Sequence, residues 1–483
     1  MNNIPLPLPW LELSVVVALV GALCVSPLRN PVRAWRLGLV FSGAAFACTL
    51  LACLGFYLAP VVEGEVQAHW SIQETLFGRH FLSVDELNAP LLPMVGLLHF
   101  LTALATGRTK MRRFSSSWSL AAEAVRLATF GATAPWVLVA LEALGTVPAY
   151  LEMVNNGRPT QVYVLHMGLF IALLVLGWAF VDPTRGPAEQ TGWATVPLLM
   201  AVLIRCGMIP VHCWLTDWFE HASFGNALLF VTPLVGVYAA VRLVLPIAPD
   251  WVLHSLGLVS LVTAVYAAGM AVVQQDARRF FAYLFLSHAS LVLVGLQLHT
   301  PLSLTGALAL WVSVSLSLGG FGLTLRALEA RFGRMSLADF HGLYDSSPAL
   351  AVCFLLTGLT SVGFPGTLGF VAAEVLVDGA VQASPWVGLV VVLVAAINGI
   401  AVVRAYFRLF TGARHASTVS LTIGPRERFA VLTLAALILG GGIIPQPGIA
   451  SRHRAALQVL EYREKRGEPS TGPAPRESAA TRR

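Results

Sequence analysis

Windows of roughly 20 apolar residues, long enough to cross about 30 Å of hydrocarbon, recur along nearly the whole chain. They place about fourteen helices near residues 10–26, 37–60, 86–106, 117–132, 134–153, 162–182, 191–211, 224–247, 252–274, 279–298, 302–330, 347–382 (interrupted), 386–411 and 427–446. Membrane-spanning strands would instead leave strictly alternating segments of about ten residues, and the sequence has none. The pattern predicts an all-α polytopic membrane protein. Two apolar segments are interrupted by proline, MIP at Pro210 and VGFPGTLGF at Pro365. Proline removes a backbone donor and frees a carbonyl, a defect accepted at membrane depth only where protein or a wet cavity satisfies it again. Two broken helices, one in each half, suit inverted repeats around a transport path. A pair of packing kinks is the blander account.

Composition agrees. Of 483 residues, 56% are hydrophobic and 12% charged, against about 25% charged in soluble domains. The six cysteines (Cys24, Cys48, Cys53, Cys206, Cys213 and Cys353) are scattered within apolar segments without CxxC spacing, so they read as small packing residues rather than metal ligands. The N-terminal stretch MNNIPLPLPWLELSVVVALVGALCV lacks the basic head of a cleaved signal peptide and is expected to stay as the first helix. From Ser451 the chain turns polar, basic and rich in Pro, Gly and Ser, which predicts a disordered tail.

The net charge of +6 invites a nucleic-acid reading, but position explains it better. Arg29, Arg33 and Arg36, then Arg108, Lys110, Arg112 and Arg113, then Arg278 and Arg279, then Arg326, Arg331 and Arg334, then Arg404, Arg408 and Arg414 all fall on one side of the helix count. That side is expected to be cytoplasmic. The acidic loop with Glu63, Glu65, Glu74, Asp85 and Glu86 falls opposite, which puts both termini on the non-cytoplasmic side. Arg463, Lys465 and Arg466 of the tail land there too, against the trend.

Ionisable groups inside helices are few, and each costs at least a few kcal/mol near the bilayer centre. Glu123 and Arg126 lie three apart in SWSLAAEAVRLATF and are expected to neutralise each other on one helix face. Glu142, Arg205 and Glu374 have no opposite charge at that spacing, so each needs a partner elsewhere and marks function. Glu142 and Arg205 are natural mutual partners if the fifth and seventh helices touch.

At these residues a resemblance becomes specific. RCGMIPVHCWLTD followed by GVYAAVRL resembles the K-x-x-x-x-P-x-H-x-W-L-P-D and G-x-Y-x-x-x-R motifs of the proton-conducting antiporter-like subunits, namely subunits L, M and N of respiratory complex I and their relatives in multi-subunit Na+/H+ antiporters. QQDARRFFAYLFLSHASLVLVGL, GFPGTLGFVAAE and WVLVALEAL resemble further motifs of that family, in the family's order, over roughly residues 86–412. The length is nearer that of subunits M and N than L. The resemblance implies fourteen helices with two inverted five-helix repeats and broken seventh and twelfth helices. It divides the chain into N-terminal helices over 1–116, a first repeat over 117–250, a second over 251–412, a last helix over 413–450 and the tail over 451–483.

The resemblance also implies a proton relay. Glu142 takes the family's glutamate position and Arg205 the place of its lysine. Arginine is a poor proton carrier. The exit glutamate survives as Glu374, and the loop group as Arg278 with Asp276. Two relay groups are missing: where the eighth helix should carry lysine or histidine there are Phe230, Thr232 and Leu234, and the central segment reads LWVSVSLSLGGFG. Ser313, Ser315, Ser317 and Thr232 offer hydroxyls that hold water but are not acid–base groups at neutral pH. His212 and His288 stand at two of the motifs, each either a titrating group or a hydrogen-bonded structural histidine; His166 has no motif support and reads as structural.

Four functions follow. The first is a proton-translocating subunit of an NADH:quinone oxidoreductase-type complex, embedded in the plasma membrane among other membrane subunits. Protons would be its cargo, and a peripheral redox partner its driver, since no flavin, iron–sulfur or nucleotide motif implies a cofactor in this chain. The second is the proton channel of an inorganic-carbon uptake complex with a zinc-binding partner, with which Trp214, Leu215, Thr216 and Glu220 are compatible. The third is a component of a multi-subunit cation/proton antiporter, and the fourth a structural paralogue that conducts nothing.

Overall fold

The structure, a computed structural model, describes residues 8–58, 72–107, 114–298, 300–412 and 423–467. Glu63 and Glu65 of the acidic loop, Arg108, Lys110, Arg112 and Arg113, Arg414 and the tail beyond 467 lie outside the described residues. The first helices are α1 (Trp10–Val25), α2 (Pro31–Leu58), the short α3 (Ile72–Phe77), α4 (Leu91–Leu104) and α5 (Ser116–Gly131). Next come α6 (Pro135–Gly145), α7 (Val147–Asn155), α8 (Gln161–Ala179), α9 (Gly192–Cys206), α10 (Cys213–His221), α11 (Phe224–Val231) and α12 (Val235–Ala239). The second half holds α13 (Asp250–Val273), α14 (Ala277–Gln297), α15 (Pro301–Phe332), α16 (Pro348–Ser361), α17 (Leu368–Ala383), α18 (Pro385–Phe410), α19 (Pro425–Ile443) and α20 (Gln446–Gly467). Each of the fourteen predicted segments has a helix or a broken helix in its place.

Burial sorts the helices. α14 and α15 are apolar on every face and almost wholly buried, so they form the interior. α2, α8 and α18 turn one apolar side outward, exposing Leu54, Leu165 and Trp386 among others, as suits hydrocarbon rather than water.

Both prolines break their helices. α9 ends at Cys206, where Gly207 adopts the left-handed conformation (φ 72°), and α10 begins after Pro210. The Trp214 indole donates to the Ile204 carbonyl at 2.8 Å, and Thr263 Oγ1 accepts from the Ile209 amide at 3.1 Å, so protein groups satisfy this break. The Pro365 break lies between α16 and α17, with Gly363 and Gly366 at φ 88° and 82°.

Three expectations need correction. The segment expected to run unbroken over 224–247 is broken: Leu234 sits at φ 55°, and a π-helical turn spans Ala240–Val244. α15 fills the gap, with Trp311 Nε1 donating to the Pro233 carbonyl at 3.0 Å and Ser315 Oγ to the Thr232 carbonyl at 2.7 Å. Ser315 thus replaces lost backbone bonding rather than holding water. The second is local: 134–153 stands as one span, Pro135–Asn155, whose helical hydrogen bonding pauses at Thr146 between α6 and α7, where Pro148 lacks a donor.

The third is the tail, which is not disordered from Ser451. α20 is bent 80° from α19 and continues to Gly467. Buried Arg452 holds it by donating to the Leu87 carbonyl at 2.9 Å and the Glu86 carbonyl at 2.5 Å, and Arg463 reaches the Leu245 and Ala248 carbonyls. Composition misled here because these arginines spend their donors on helix ends of the core. Arg452→Ala should loosen α20 by about 1.5–3 kcal/mol, the worth of hydrogen bonds from a charged donor. Faster limited tryptic cleavage between residues 454 and 466 is the readout, with unchanged cleavage the contrary result.

Candidate functional site

The charged residues of α6 and α9 meet inside the protein. Glu142 Oε2 lies 3.8 Å from Arg205 Nε, with both side chains buried. The distance is too long for a direct hydrogen bond, and among the described residues both carboxylate oxygens of Glu142 and Nε of Arg205 lack a hydrogen-bond partner. Buried polar atoms are seldom left so. The arrangement is an ion pair with its hydrogen-bonding capacity unspent, able to accept water or a proton. Gly236 leaves room for it: a Cβ there would come within 3.0 Å of Arg205 Cγ and 2.7 Å of Cys206 Sγ.

The guanidinium of Arg205 stacks on Phe230, 4.4 Å from the ring centroid, and Arg126 lies 5.9 Å from the same centroid. Phe230 is one of the three residues, with Thr232 and Leu234, near the place where the resemblance called for a lysine or histidine. An aromatic face there holds two cations by cation–π attraction but carries no proton.

Glu123 and Arg126 do not bond directly. Arg126 Nη1 lies 3.0 Å from His99 Nε2; since arginine only donates, this leaves the ring proton on Nδ1. His99 Nδ1 is 3.9 Å from Glu123 Oε2. The expected two-residue pair is therefore a three-residue cluster with histidine in the middle, because α4 packs against α5 at this level. The lone histidine in GLLHFLTAL was a legible signal that went unused. Glu152, buried in α7 with both carboxylate oxygens unbonded, was missed too. It falls at the very end of its apolar segment, where a charge looks ordinary.

The remaining candidates stand apart. Asp276 caps α14, accepting from the Arg278 and Arg279 amides at 2.9 and 3.0 Å. Arg278 binds Glu329 through two hydrogen bonds of 2.6 and 2.7 Å and also donates to the Phe219 and Ala222 carbonyls. This pair ties α10 and α14 to α15. His288 is buried, with Nδ1 2.7 Å from the Leu284 carbonyl. His166 is bonded likewise to the Val162 carbonyl. His212 is half-buried against Tyr266 and Tyr283, with Nδ1 unbonded. Ser313 Oγ is buried and unbonded, while Ser317 makes a 3.5 Å contact with the Val314 carbonyl.

Glu374 departs from expectation. It belongs to no interior site, and both it and Asp378 are exposed on the outer side of α17. The cause is packing: α17 turns Gly369, Ala372, Leu376 and Gly379 inward, with Gly379 pressed on the Ser303 backbone of α15, which leaves Glu374 on the opposite side.

Comparison with known proteins agrees with this geometry. Residues 185–398 match the transmembrane family described as NADH:quinone oxidoreductase/Mrp antiporter. NADH-quinone oxidoreductase subunit 13 of Thermus thermophilus is 26% identical over 436 residues, covering 84% of this chain and 90% of the relative. Among solved structures, a chain of respiratory complex I from Thermus thermophilus with bound NADH superposes with a TM-score of 0.82 at 24% identity, covering 94% of this chain and 99% of that one. A chain of the Mrp complex from a Dietzia species gives 0.79 at 18% identity, covering 95% and 100%. These likenesses carry the same fold from end to end, and the motifs around Glu142, Arg205, Pro210 and Pro365 fall in it in the order the resemblance implies: the chain is similar, in fold and over residues 185–398 in sequence, to the transmembrane subunits of the NADH:quinone oxidoreductase/Mrp antiporter family.

Proposed function

We propose that the chain is a proton-translocating subunit in the membrane arm of an NADH:quinone oxidoreductase-type complex of the plasma membrane, driven by quinone reduction in partner chains. The buried Glu142–Arg205 pair with its unbonded oxygens carries this reading. A carboxylate held in the protein interior beside a fixed cation gains or loses a proton as their separation changes, because approach of the cation favours the charged form and withdrawal the neutral one. Glu142 is the proton carrier in this scheme, and Arg205 sets the field. Arg205 does not itself release a proton.

Exposed Glu374 supports membrane partners. A carboxylate facing hydrocarbon costs a few kcal/mol, and a neighbouring subunit with a polar or basic group on that face removes the cost.

The test is affinity purification from native membranes, followed by proton-uptake measurement in vesicles that carry the assembled complex. Quinone-reductase chains are expected to co-purify, and a zinc protein or a set of small antiporter subunits in their place overturns the assignment to this complex. Glu142→Gln is expected to lower uptake about tenfold or more, the scale of losing a positioned proton carrier. Unchanged uptake removes the transport assignment altogether.

A further inference from the structure

A second group of buried acids lies outside the Glu142–Arg205 pair. A small pocket of about 20 Å³ is lined by His99, Ser119, Arg126, Glu152, Asn226 and Phe230 together with apolar neighbours. That volume accommodates about one water. Polar atoms of its lining are left without a hydrogen bond among the described residues: both oxygens of Glu152, Nδ1 of His99 and Nε1 of Trp218 are buried and unbonded. Such a ring of unsatisfied groups about a water-sized void is the signature of internal water.

A much larger cavity, about 550 Å³, opens close by and is lined by Asn156, Ser223, Arg158, Arg278, Arg326 and Arg334 among others. The two are one helical turn apart, about 5 Å, along each of two elements. On one, Glu152 of the pocket is followed by Asn156 of the cavity. On the other, Ser223 of the cavity is followed by Asn226 of the pocket. Ser223 and Asn226 both face the Glu152 carboxyl, within its reach but outside hydrogen-bond geometry. Phe230 also lines the pocket, and the guanidinium groups of Arg126 and Arg205 lie 5.9 and 4.4 Å from its ring centroid.

We propose that Glu152 is the access-side proton site of this subunit. It is loaded from the basic cavity past Ser223, and it discharges towards the Glu142–Arg205 pair through the pocket walled by Phe230. The basic rim does not bar protons, since water carries them between Asn156 and Ser223 while Arg278 is held by Glu329. A side branch of this kind gives the chain an acid–base group where α11 supplies only phenylalanine. The assignment rests on the proton-transport role proposed above.

The experiment uses native vesicles with the assembled complex. Glu152→Gln is expected to lower proton uptake about tenfold, and Glu152→Asp to keep most of it. In a Cys213→Ser background, Asn226→Cys is expected to react with a small hydrophilic methanethiosulfonate reagent, a test of wetting that a merely structural Glu152 does not pass. Wild-type uptake in assembled Glu152→Gln, or an unreactive Asn226→Cys, overturns the proposal. If Glu152→Gln does not assemble, the cysteine reaction decides alone. Loss of uptake in Glu142→Gln with none in Glu152→Gln rejects this site and leaves the transport role standing; no loss in Glu142→Gln rejects that role itself.

Discussion

Arg205→Met is expected to abolish proton uptake and to destabilise the subunit by about 3–5 kcal/mol, the cost of stranding a buried charge whose partner has been removed. Among the described residues Glu142 has no hydrogen bond to fall back on, and its only close opposite charge there is Arg205 at 3.8 Å. The thermal midpoint of the purified complex reads the stability loss. Glu142→Gln combined with Arg205→Met is expected to recover most of that loss, because a pair replaced whole by uncharged groups of similar volume leaves no stranded ion. Uptake stays absent in the double variant, since both the proton carrier and the cation that tunes it are gone. Arg205→Lys behaves differently. It forfeits much of the stacking on Phe230, about 1 kcal/mol, but transport is expected to persist, since desolvation makes a buried lysine able to release its proton. A Met variant as stable as the wild type refutes the account of the pair.

Gly369→Ala is expected to be as damaging by a different route. A Cβ at this position would lie 1.8 Å from the Thr360 carbonyl oxygen and 3.2 Å from Ser313 Oγ. No rotamer relieves a contact with backbone, so the two halves of the broken helix, α16 and α17, must move apart. Overpacking of this sort costs about 3 kcal/mol, and it displaces the segment around Pro365 from α15. Loss of assembled complex and a lower thermal midpoint are the expected readouts. Gly168→Ala is the control: Gly168 is exposed within α8 with nothing near its missing Cβ, so alanine there should be neutral or slightly stabilising, by up to about 1 kcal/mol. Equal stability of the two variants contradicts the packing assigned to the break.

The helices themselves were legible along the chain. A span of hydrocarbon demands a run of apolar residues with every backbone group bonded internally, and that demand is local. Both proline breaks were legible for the same reason, as was the need of Glu142 and Arg205 for partners on other helices. The break at Leu234 had the same trace in Pro233, which went unused. A proline in an apolar run shows that one hydrogen bond is lost, whereas the supply of Trp311 and Ser315 to catch the freed carbonyls is a property of α15.

Sequence by itself determined the membrane-spanning class, the places of the helices, and the need of the buried charges Glu142 and Arg205 for partners on other helices. Tertiary structure alone decided which of those charges meet. His99 enters between Glu123 and Arg126, Phe230 gathers Arg126 and Arg205 about one ring, Glu152 lines a water-sized pocket, and Glu374 is turned outward by the glycines that seat α17 on α15. Helical periodicity fixes the side of a helix on which a residue lies, but the neighbour on that side comes from long-range packing, to which residues far apart in the chain contribute equally.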